Sequence, residues 1–184
     1  MKAVFLDRDG TVIYERGYIT VAEKVELLPG VAGAIVRLRA AGWKVLIVTN
    51  QGCVGRGMIT EEELGAIHFR MLAMLGGEGA EVDGVYYCPH HPEGSVPEYA
   101  IECDCRKPRP GLLERAAGEH DLDLEQCIIV GDTMRDLGAG RAAGTRAILV
   151  LTGHGKETAA EAHDADHVAA DLPAAVDWIL SQAR

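Results

Sequence analysis

The sequence predicts an α/β protein in which a doubly wound parallel sheet carries helices on both faces. Short segments rich in β-branched residues alternate with segments of helical periodicity, and several of the strand-like segments are apolar throughout. Fully apolar strands are typical of parallel strands that are buried on both faces. The regular alternation of strands and helices also favours parallel strands joined by crossover helices.

Apolar runs of four to six residues mark five predicted strands: Ala3 to Leu6, Lys44 to Thr49, Val82 to Tyr87, Cys127 to Val130 and Ala147 to Val150. Helices are predicted over residues 31–41, 111–120 and 172–182. The clearest helix starts at Thr60, where a capping box with Glu63 precedes a long apolar stripe. His68 lies on that stripe, so we expect a packed core histidine rather than a catalytic one.

The length and charge of the chain limit its organisation and its partners. Its 184 residues fit a single domain, 1–184, with an irregular segment at 88–105. The formal net charge of -10 argues against a nucleic-acid partner, which would need clustered Lys and Arg. No apolar run approaches the roughly 20 residues of a membrane span, and the N-terminus lacks the apolar stretch of a signal peptide. We therefore expect a cytoplasmic monomer without a membrane partner.

Polar residues directly follow three of the predicted strands. Asp7 and Asp9 follow the first strand, Thr49 ends the second, and Asp132 follows the fourth. In a doubly wound sheet, ligands bind beyond the carboxyl ends of the strands. These side chains are therefore predicted to converge on one crevice.

Clustered carboxylates at such a crevice imply a divalent cation, because they repel one another unless a cation lies among them. Hard oxygen ligands suit Mg²⁺, which also binds substrate phosphate. Lys107 adds a cation that could pair with a phosphoryl oxygen. The alternative is structural: Asp7 and Asp9 would form a turn with Gly10, and Asp132 would cap the next helix. The coincidence of three such places favours the metal site.

The irregular segment contains a second candidate metal site. Cys88 and His90 form one pair of ligands, and Cys103 and Cys105 form another. Three thiolates and one imidazole fit a closed tetrahedral Zn²⁺ site, which leaves no open position for catalysis, so we interpret this zinc as structural. His91 competes with His90, although the matching one-residue spacing of the two pairs favours His90. The alternative is a set of thiols without metal.

The segment Asp7-Arg8-Asp9-Gly10-Thr11, together with Thr49, Lys107 and Gly131-Asp132 with Asp136, resembles the four ordered motifs of the haloacid dehalogenase-like phosphatases. The resemblance makes Asp136 a supporting acid without an assigned contact, and the alternative is a charged residue in the first turn of a helix. The resemblance implies that Asp7 is a nucleophile that becomes phosphorylated. Asp9 would protonate the leaving alcohol and then activate water, while Thr49 and Lys107 would stabilise the phosphoryl group. Mg²⁺ would be held by Asp7, by the backbone carbonyl of Asp9 and by Asp132.

The zinc-loop residues at 88–94 and 103–108 narrow the resemblance to a subgroup that includes heptose bisphosphate phosphatases and histidinol-phosphate phosphatases. They look closest to the heptose enzymes, which implies removal of the 7-phosphate from heptose 1,7-bisphosphate. The short intervals between motifs leave no room for a large cap domain. The implied substrate-binding residues are Asn50, Gln51, Arg56 and Arg106. A competing interpretation is that Arg106 only braces the zinc loop.

Three other functions remain as alternatives. The same chemistry would hydrolyse histidinol phosphate or a different small phosphate ester, such as another sugar phosphate. A phospho-acceptor switch also places acids, Thr and Lys around Mg²⁺, but Asp9 stands two residues from Asp7 in position to turn the intermediate over. A zinc-centred binding module with an inactive crevice is disfavoured because the motif residues are intact.

Overall fold

Six strands form one parallel sheet in the order β3-β2-β1-β4-β5-β6 in the computed structural model, which describes residues 1–161 and 163–182. The strands are β1 (Ala3–Leu6), β2 (Lys44–Asn50), β3 (Gly84–Cys88), β4 (Ile128–Gly131), β5 (Arg146–Val150) and β6 (His167–Ala169). The helices are α1 (Val31–Ala40), α2 (Glu61–Gly77), α3 (Gly111–His120), α4 (Met134–Ala143), α5 (Gly155–Ala160) and α6 (Leu172–Ser181).

The sheet separates two apolar cores because successive strand residues point to opposite faces. In β1, Val4 and Leu6 belong to one core and Ala3 and Phe5 to the other. Apolar residues of α1, α2 and α6 fill the first core, and those of α3 and α4 fill the second. Both faces of the sheet are therefore covered by helices.

The order of the strands reverses at β1, which lies between β2 and β4. The chain builds β2 and β3 on one side of β1 and then β4, β5 and β6 on the other. Such a topological switch point opens a crevice beyond the carboxyl ends of the adjoining strands. The predicted crevice residues lie at this point.

The predicted fold class is confirmed, and all five predicted strands are present to within two residues. The predicted helix over residues 111–120 has the predicted bounds, and α2 begins with the expected capping box between Thr60 and Glu63. The bounds of α4, α5 and β6 were not predicted.

Across residues 1–161 and 163–182, the intervals between motifs hold no large cap domain. Each helix of the described chain is too short or too polar to reach across a bilayer.

Candidate active site and metal centre

The nucleophile predicted from the sequence stands at the end of β1, beside β4. The Asp7 amide donates a 2.9 Å hydrogen bond to the carbonyl of Val130, which fixes the backbone at the switch point. Gly10 follows with a φ of 79°, and a side chain there would collide with Asp132. The turn after β1 therefore requires glycine and brings the first and fourth motifs into contact.

Lys107 lies at the centre of the crevice, although it comes from the irregular segment. Its Nζ is 2.8 Å from Asp7 Oδ1, 2.5 Å from Asp136 Oδ1 and 2.8 Å from the Val48 carbonyl. Asn50 holds the Lys107 backbone from both sides, because its amide accepts from the Lys107 amide at 3.0 Å and donates to the Lys107 carbonyl at 3.0 Å. The ammonium group is thus positioned by three surrounding acceptors and a clamped backbone.

Asp136 has two partners, one for each carboxylate oxygen. Oδ1 pairs with Lys107, while Oδ2 accepts hydrogen bonds from the backbone and hydroxyl of Thr133 at 3.0 and 2.6 Å. Thr133, and not Asp132, is the N-cap residue of α4, and Asp136 completes its capping box. The alternative in which Asp132 serves as the helix cap is therefore not what the fold uses.

Three carboxylates, those of Asp7, Asp132 and Asp136, face one ammonium group in this crevice, and the pKa values of Asp7 and Asp132 are perturbed. Burial is the largest cause that raises the pKa of Asp7, to about 8, and the charge of Asp136 adds to it. Burial likewise raises the pKa of Asp132 to about 6. Burial acts to lower the pKa of Lys107, but the charges of Asp136 and Asp7 outweigh it and raise that pKa. The lysine therefore stays charged, and a further cation beside Asp7 and Asp132 would favour their ionised forms.

The residues fit a divalent cation. Side-chain oxygens of Asp7, Asp132 and Asp136 lie within 4.8 Å of one another. Asp132 Oδ2 accepts from the His154 amide at 2.8 Å, whereas its buried Oδ1 has no hydrogen-bond partner among the described residues. Since Lys107 neutralises Asp136, the two remaining acids match the charge of Mg²⁺.

Asp9 lines the same crevice, and its carboxylate is held by two buried side chains, those of Arg8 and Gln51. Arg8 donates to Asp9 Oδ2 through Nε at 3.1 Å and to Oδ1 through Nη2 at 3.0 Å. Gln51 donates to Asp9 Oδ2 at 2.9 Å and to Thr49 Oγ1 at 2.7 Å, and it accepts from Arg8 Nη2 at 2.9 Å. The side chains of Arg8, Asp9, Thr49 and Gln51 therefore form one connected network.

The predicted substrate-binding residues occupy different positions. Asn50, Gln51 and Arg106 line the crevice together with Glu15 and Tyr18 from the loop after β1. Arg56 does not line it and instead contacts His91 at 3.1 Å. The Gln51 side chain is 3% exposed and directed inward.

Arg106 has one contact in the zinc loop and also borders the crevice. It lines the crevice and also donates a 3.0 Å hydrogen bond from Nη1 to the carbonyl of His90. The residue that braces the zinc loop therefore also presents a cation to the crevice.

The cysteine and histidine pairs predicted as a zinc site come together at one end of the loop after β3. The Cys88–Cys103 and Cys103–Cys105 Sγ distances are 3.5 and 3.3 Å, and His90 Nδ1 lies 3.6 Å from Cys88 Sγ and 3.3 Å from Cys105 Sγ. Tetrahedral Zn–S bonds of about 2.3 Å place ligand atoms roughly 3.8 Å apart. The four side chains therefore have nearly the spacing of a closed zinc site.

His91 is turned away from this cluster. Its Nδ1 accepts from the Glu93 amide at 3.2 Å, and its Nε2 faces Arg56. The geometry thus favours His90, as the spacing of the two pairs predicted. The segment 89–110 contains no helix or strand, and the cluster joins its start to residues 103 and 105.

Three residues of the crevice had no contact predicted from the sequence. Arg8 is 1% exposed, Asp136 was expected only as a supporting acid with no assigned contact, and the His154 amide holds Asp132. The sequence does contain a signal for Arg8, because a positive charge between two aspartates has carboxylates close enough to pair with. The contact with His154 joins residues 22 positions apart and has no local signal.

The fold and the crevice together define a phosphatase of the HAD-like class. Residues 104–175 match the HAD-hydrolase-like family model. A solved structure of a D,D-heptose 1,7-bisphosphate phosphatase from B. bronchiseptica, complexed with magnesium and phosphate, superimposes with a TM-score of 0.89. It is 37% identical to this chain, and the alignment covers 99% of each.

Curated relatives agree with this assignment. A D-glycero-beta-D-manno-heptose-1,7-bisphosphate 7-phosphatase of Yersinia pestis is 40% identical over 97% of this chain and 89% of its own. A D-glycero-D-manno-heptose-1,7-bisphosphate 7-phosphatase of Thermosynechococcus vestitus is 43% identical over 97% of this chain and 95% of its own. The chain belongs to the family of HAD-like heptose bisphosphate phosphatases.

Proposed function

We propose that this protein removes the 7-phosphate of D-glycero-D-manno-heptose 1,7-bisphosphate through a phosphoaspartate formed on Asp7. The observation that carries the proposal is the meeting of Asp7, Lys107 and Asp132 at the switch point, in a chain that aligns with the heptose phosphatases over nearly its whole length. Residues of this crevice supply a nucleophile, an acid–base group and a cation for the phosphoryl group, and its carboxylates supply ligands for Mg²⁺.

The first step forms a bond between an Asp7 oxygen and phosphorus and breaks the bond to the sugar oxygen. Lys107 stabilises the charge on the phosphoryl group, and the Thr49 hydroxyl supplies a hydrogen bond to it. The ammonium group is already aimed, because the Val48 carbonyl and Asp136 hold it at 2.8 and 2.5 Å. Preorganised charge of this kind costs no rearrangement during the reaction.

Asp9 moves the protons. In the first step it gives a proton to the sugar oxygen as that oxygen leaves. In the second step it takes a proton from the water that attacks phosphorus, and the Asp7 carboxylate is released. Dividing one displacement into two lets a single carboxyl group act first as acid and then as base.

Two metals complete the proposal. Asp7, Asp132 and the backbone carbonyl of Asp9 would hold Mg²⁺, which when bound neutralises phosphate charge. The orphan Oδ1 of Asp132 supports this assignment. Cys88, His90, Cys103 and Cys105 would hold a structural Zn²⁺, which fixes the segment that presents Arg106 and Lys107.

Steady-state phosphate release in the presence of Mg²⁺ tests the substrate. Both anomers of heptose 1,7-bisphosphate, histidinol phosphate and a panel of sugar phosphates are compared by kcat/KM. We expect one heptose bisphosphate anomer to exceed histidinol phosphate by at least about 100-fold, since discrimination by several polar contacts is worth that much. Faster hydrolysis of histidinol phosphate would reverse the assignment, while the crevice chemistry would stand.

A further inference from the structure

The charged side chain of Arg8 is buried, and burying a charge costs free energy. It is 1% exposed, and its Nη1 has no hydrogen-bond partner among the described residues. A buried charged group with an unpaired donor lowers stability, and a buried ion pair is weak evidence of stabilisation. The need for a stable core therefore does not explain why an arginine stands here.

The contacts of Arg8 are directed at one group. Nε and Nη2 donate to the two oxygens of Asp9 at 3.1 and 3.0 Å, in the fork-to-carboxylate arrangement that fixes both position and orientation. The carboxylate is left with a side-chain exposure of 16%, on the side of the crevice.

Gln51 closes the arrangement from the other strand end. Its carbonyl oxygen accepts from Arg8 Nη2 at 2.9 Å, and its amide nitrogen donates to Asp9 at 2.9 Å. Because guanidinium only donates and an ionised carboxylate only accepts, these two contacts determine the orientation of the Gln51 amide, whose nitrogen also donates to Thr49 at 2.7 Å. Arg8 and Gln51 thus hold Asp9 relative to β2, and no other residue of the described chain donates to that carboxylate through a side chain.

We propose that Arg8 is a positioning residue for Asp9, which it fixes by a bidentate ion pair oriented by Gln51. This inference rests on the proposed function, in which Asp9 makes both proton transfers. Arg8 does not touch the reacting atoms. Arg8 fixes the position of the Asp9 carboxyl group. It thereby excludes side-chain orientations from which Asp9 could not pass a proton to the sugar oxygen.

A double-mutant cycle tests this coupling. Arg8→Lys keeps the positive charge but loses the planar fork. We expect it to lower kcat on heptose bisphosphate by roughly 50-fold, because a misplaced catalytic group costs about that much, and to leave KM within about twofold. In an Asp9→Asn background, measured by single turnovers, the same change should cost less than about twofold. An equal loss in both backgrounds would overturn the inference.

Two further measurements keep the test decisive. Gln51→Met removes the orienting amide, and we expect the same pattern with a smaller loss of roughly fivefold. Arg37→Lys, at an exposed pair with Asp177, is the matched control and should leave kcat unchanged. Thermal unfolding of each variant reports folding. If the Arg8 variants do not fold, the Gln51→Met cycle decides, and additivity there contradicts the inference.

Failure of the substrate assignment is distinguishable from failure of this inference. If the parent protein hydrolyses another phosphate ester, the same cycle is measured with that ester. A crystal structure of Arg8→Met gives a readout that needs no substrate: we expect the Asp9 carboxylate to leave its position beside Gln51. An unmoved carboxylate would contradict the positioning role even if the protein proves to be an active heptose phosphatase.

Discussion

The crevice and the zinc loop are neighbours in the fold, but different forces hold their functional groups. Asp7 and Asp132 follow strands whose backbone hydrogen bonds fix them, whereas Arg106 and Lys107 lie in a segment without helix or strand. That segment depends on a side-chain cluster at its end and on the clamp that Asn50 makes with Lys107. In this crevice, the sheet positions some functional groups, and contacts between side chains position the others. Damage to each should have a different signature.

Asp7→Asn should have the largest effect on activity and almost none on structure. The amide cannot form the acyl phosphate, so we expect turnover to fall by at least about 10⁴-fold. Zinc content should stay at the parent value and the protein should stay folded, because the backbone of Asp7 is held by the sheet. Phosphate release and zinc analysis of the same preparation measure both. Residual activity above one per cent would argue against a covalent step on Asp7.

Cys103→Ser should have the opposite signature. Loss of one thiolate opens the zinc site, so we expect zinc content to fall to a small fraction of one per chain and the thermal midpoint to drop by roughly 10 °C. Activity should fall as well, because Arg106 and Lys107 follow the cluster directly. Zinc analysis and calorimetry check this.

Cys127→Ser is the matched control for the cysteine change, since Cys127 is buried but lies outside the cluster. It should keep its zinc, whatever it loses in stability. Full zinc content in Cys103→Ser would remove that residue from the ligand set, and loss of zinc in both variants would show that folding rather than ligation was affected.

Asp136→Asn should have an effect between those of Asp7→Asn and Cys103→Ser, because Asp136 links the residues at the strand ends to Lys107 in the loop. Without the second carboxylate, Lys107 has one fewer anionic partner, and we expect kcat to fall by roughly 30-fold. Thr133→Val removes the hydroxyl that donates to Asp136 Oδ2 but leaves the backbone hydrogen bond at residue 133 and the lysine pair. It should cost about 1 kcal/mol of stability and less than threefold in kcat. If Thr133→Val lowered kcat as much as Asp136→Asn, the helix cap rather than the ion pair would account for the effect.

The smallest effect on activity is expected from His68 in α2, whose substitution should change how stability depends on pH. Burial lowers the pKa of His68 to about 4, so between pH 4 and about 6.5 the unfolded chain binds a proton that the folded protein does not. Stability is therefore complete above pH 6.5 and falls as the pH drops. From pH 7 to pH 5 the parent should lose about 2 kcal/mol more than His68→Leu.

Denaturant unfolding of both proteins with zinc present measures this difference, since loss of zinc at low pH affects both alike. Equal losses would show that His68 is not buried as a neutral group.

The sequence was most informative where function coincides with the ends of strands. Asp7, Thr49 and Asp132 each follow or end an apolar run, so their meeting was predictable from the parallel topology alone. The strand β6 and the helix α5 are only 3 and 6 residues long, too short for periodicity to reveal. The inward turn of Gln51 was also beyond prediction, because it depends on contacts with residues far away in the chain.

The meeting of the cysteines with His90 was predictable for a different reason. Cys88, His90, Cys103 and Cys105 are rare residue types whose density indicates a metal site whatever the secondary structure. In contrast, the link from Asn50 to the Lys107 backbone joins positions 57 residues apart. No spacing rule connects them, so the loop's second tie could be found only in the structure.

Covalent capture of the phosphoryl group tests the central claim most directly. The protein is mixed with heptose bisphosphate and Mg²⁺, quenched in acid during turnover and digested, and the peptide that contains Asp7 is analysed by mass spectrometry. We predict one phosphoryl group on Asp7 in the parent protein, and none on this peptide in Asp7→Asn. Turnover without a phosphorylated Asp7, or a phosphoryl group on another residue during turnover, would contradict the account.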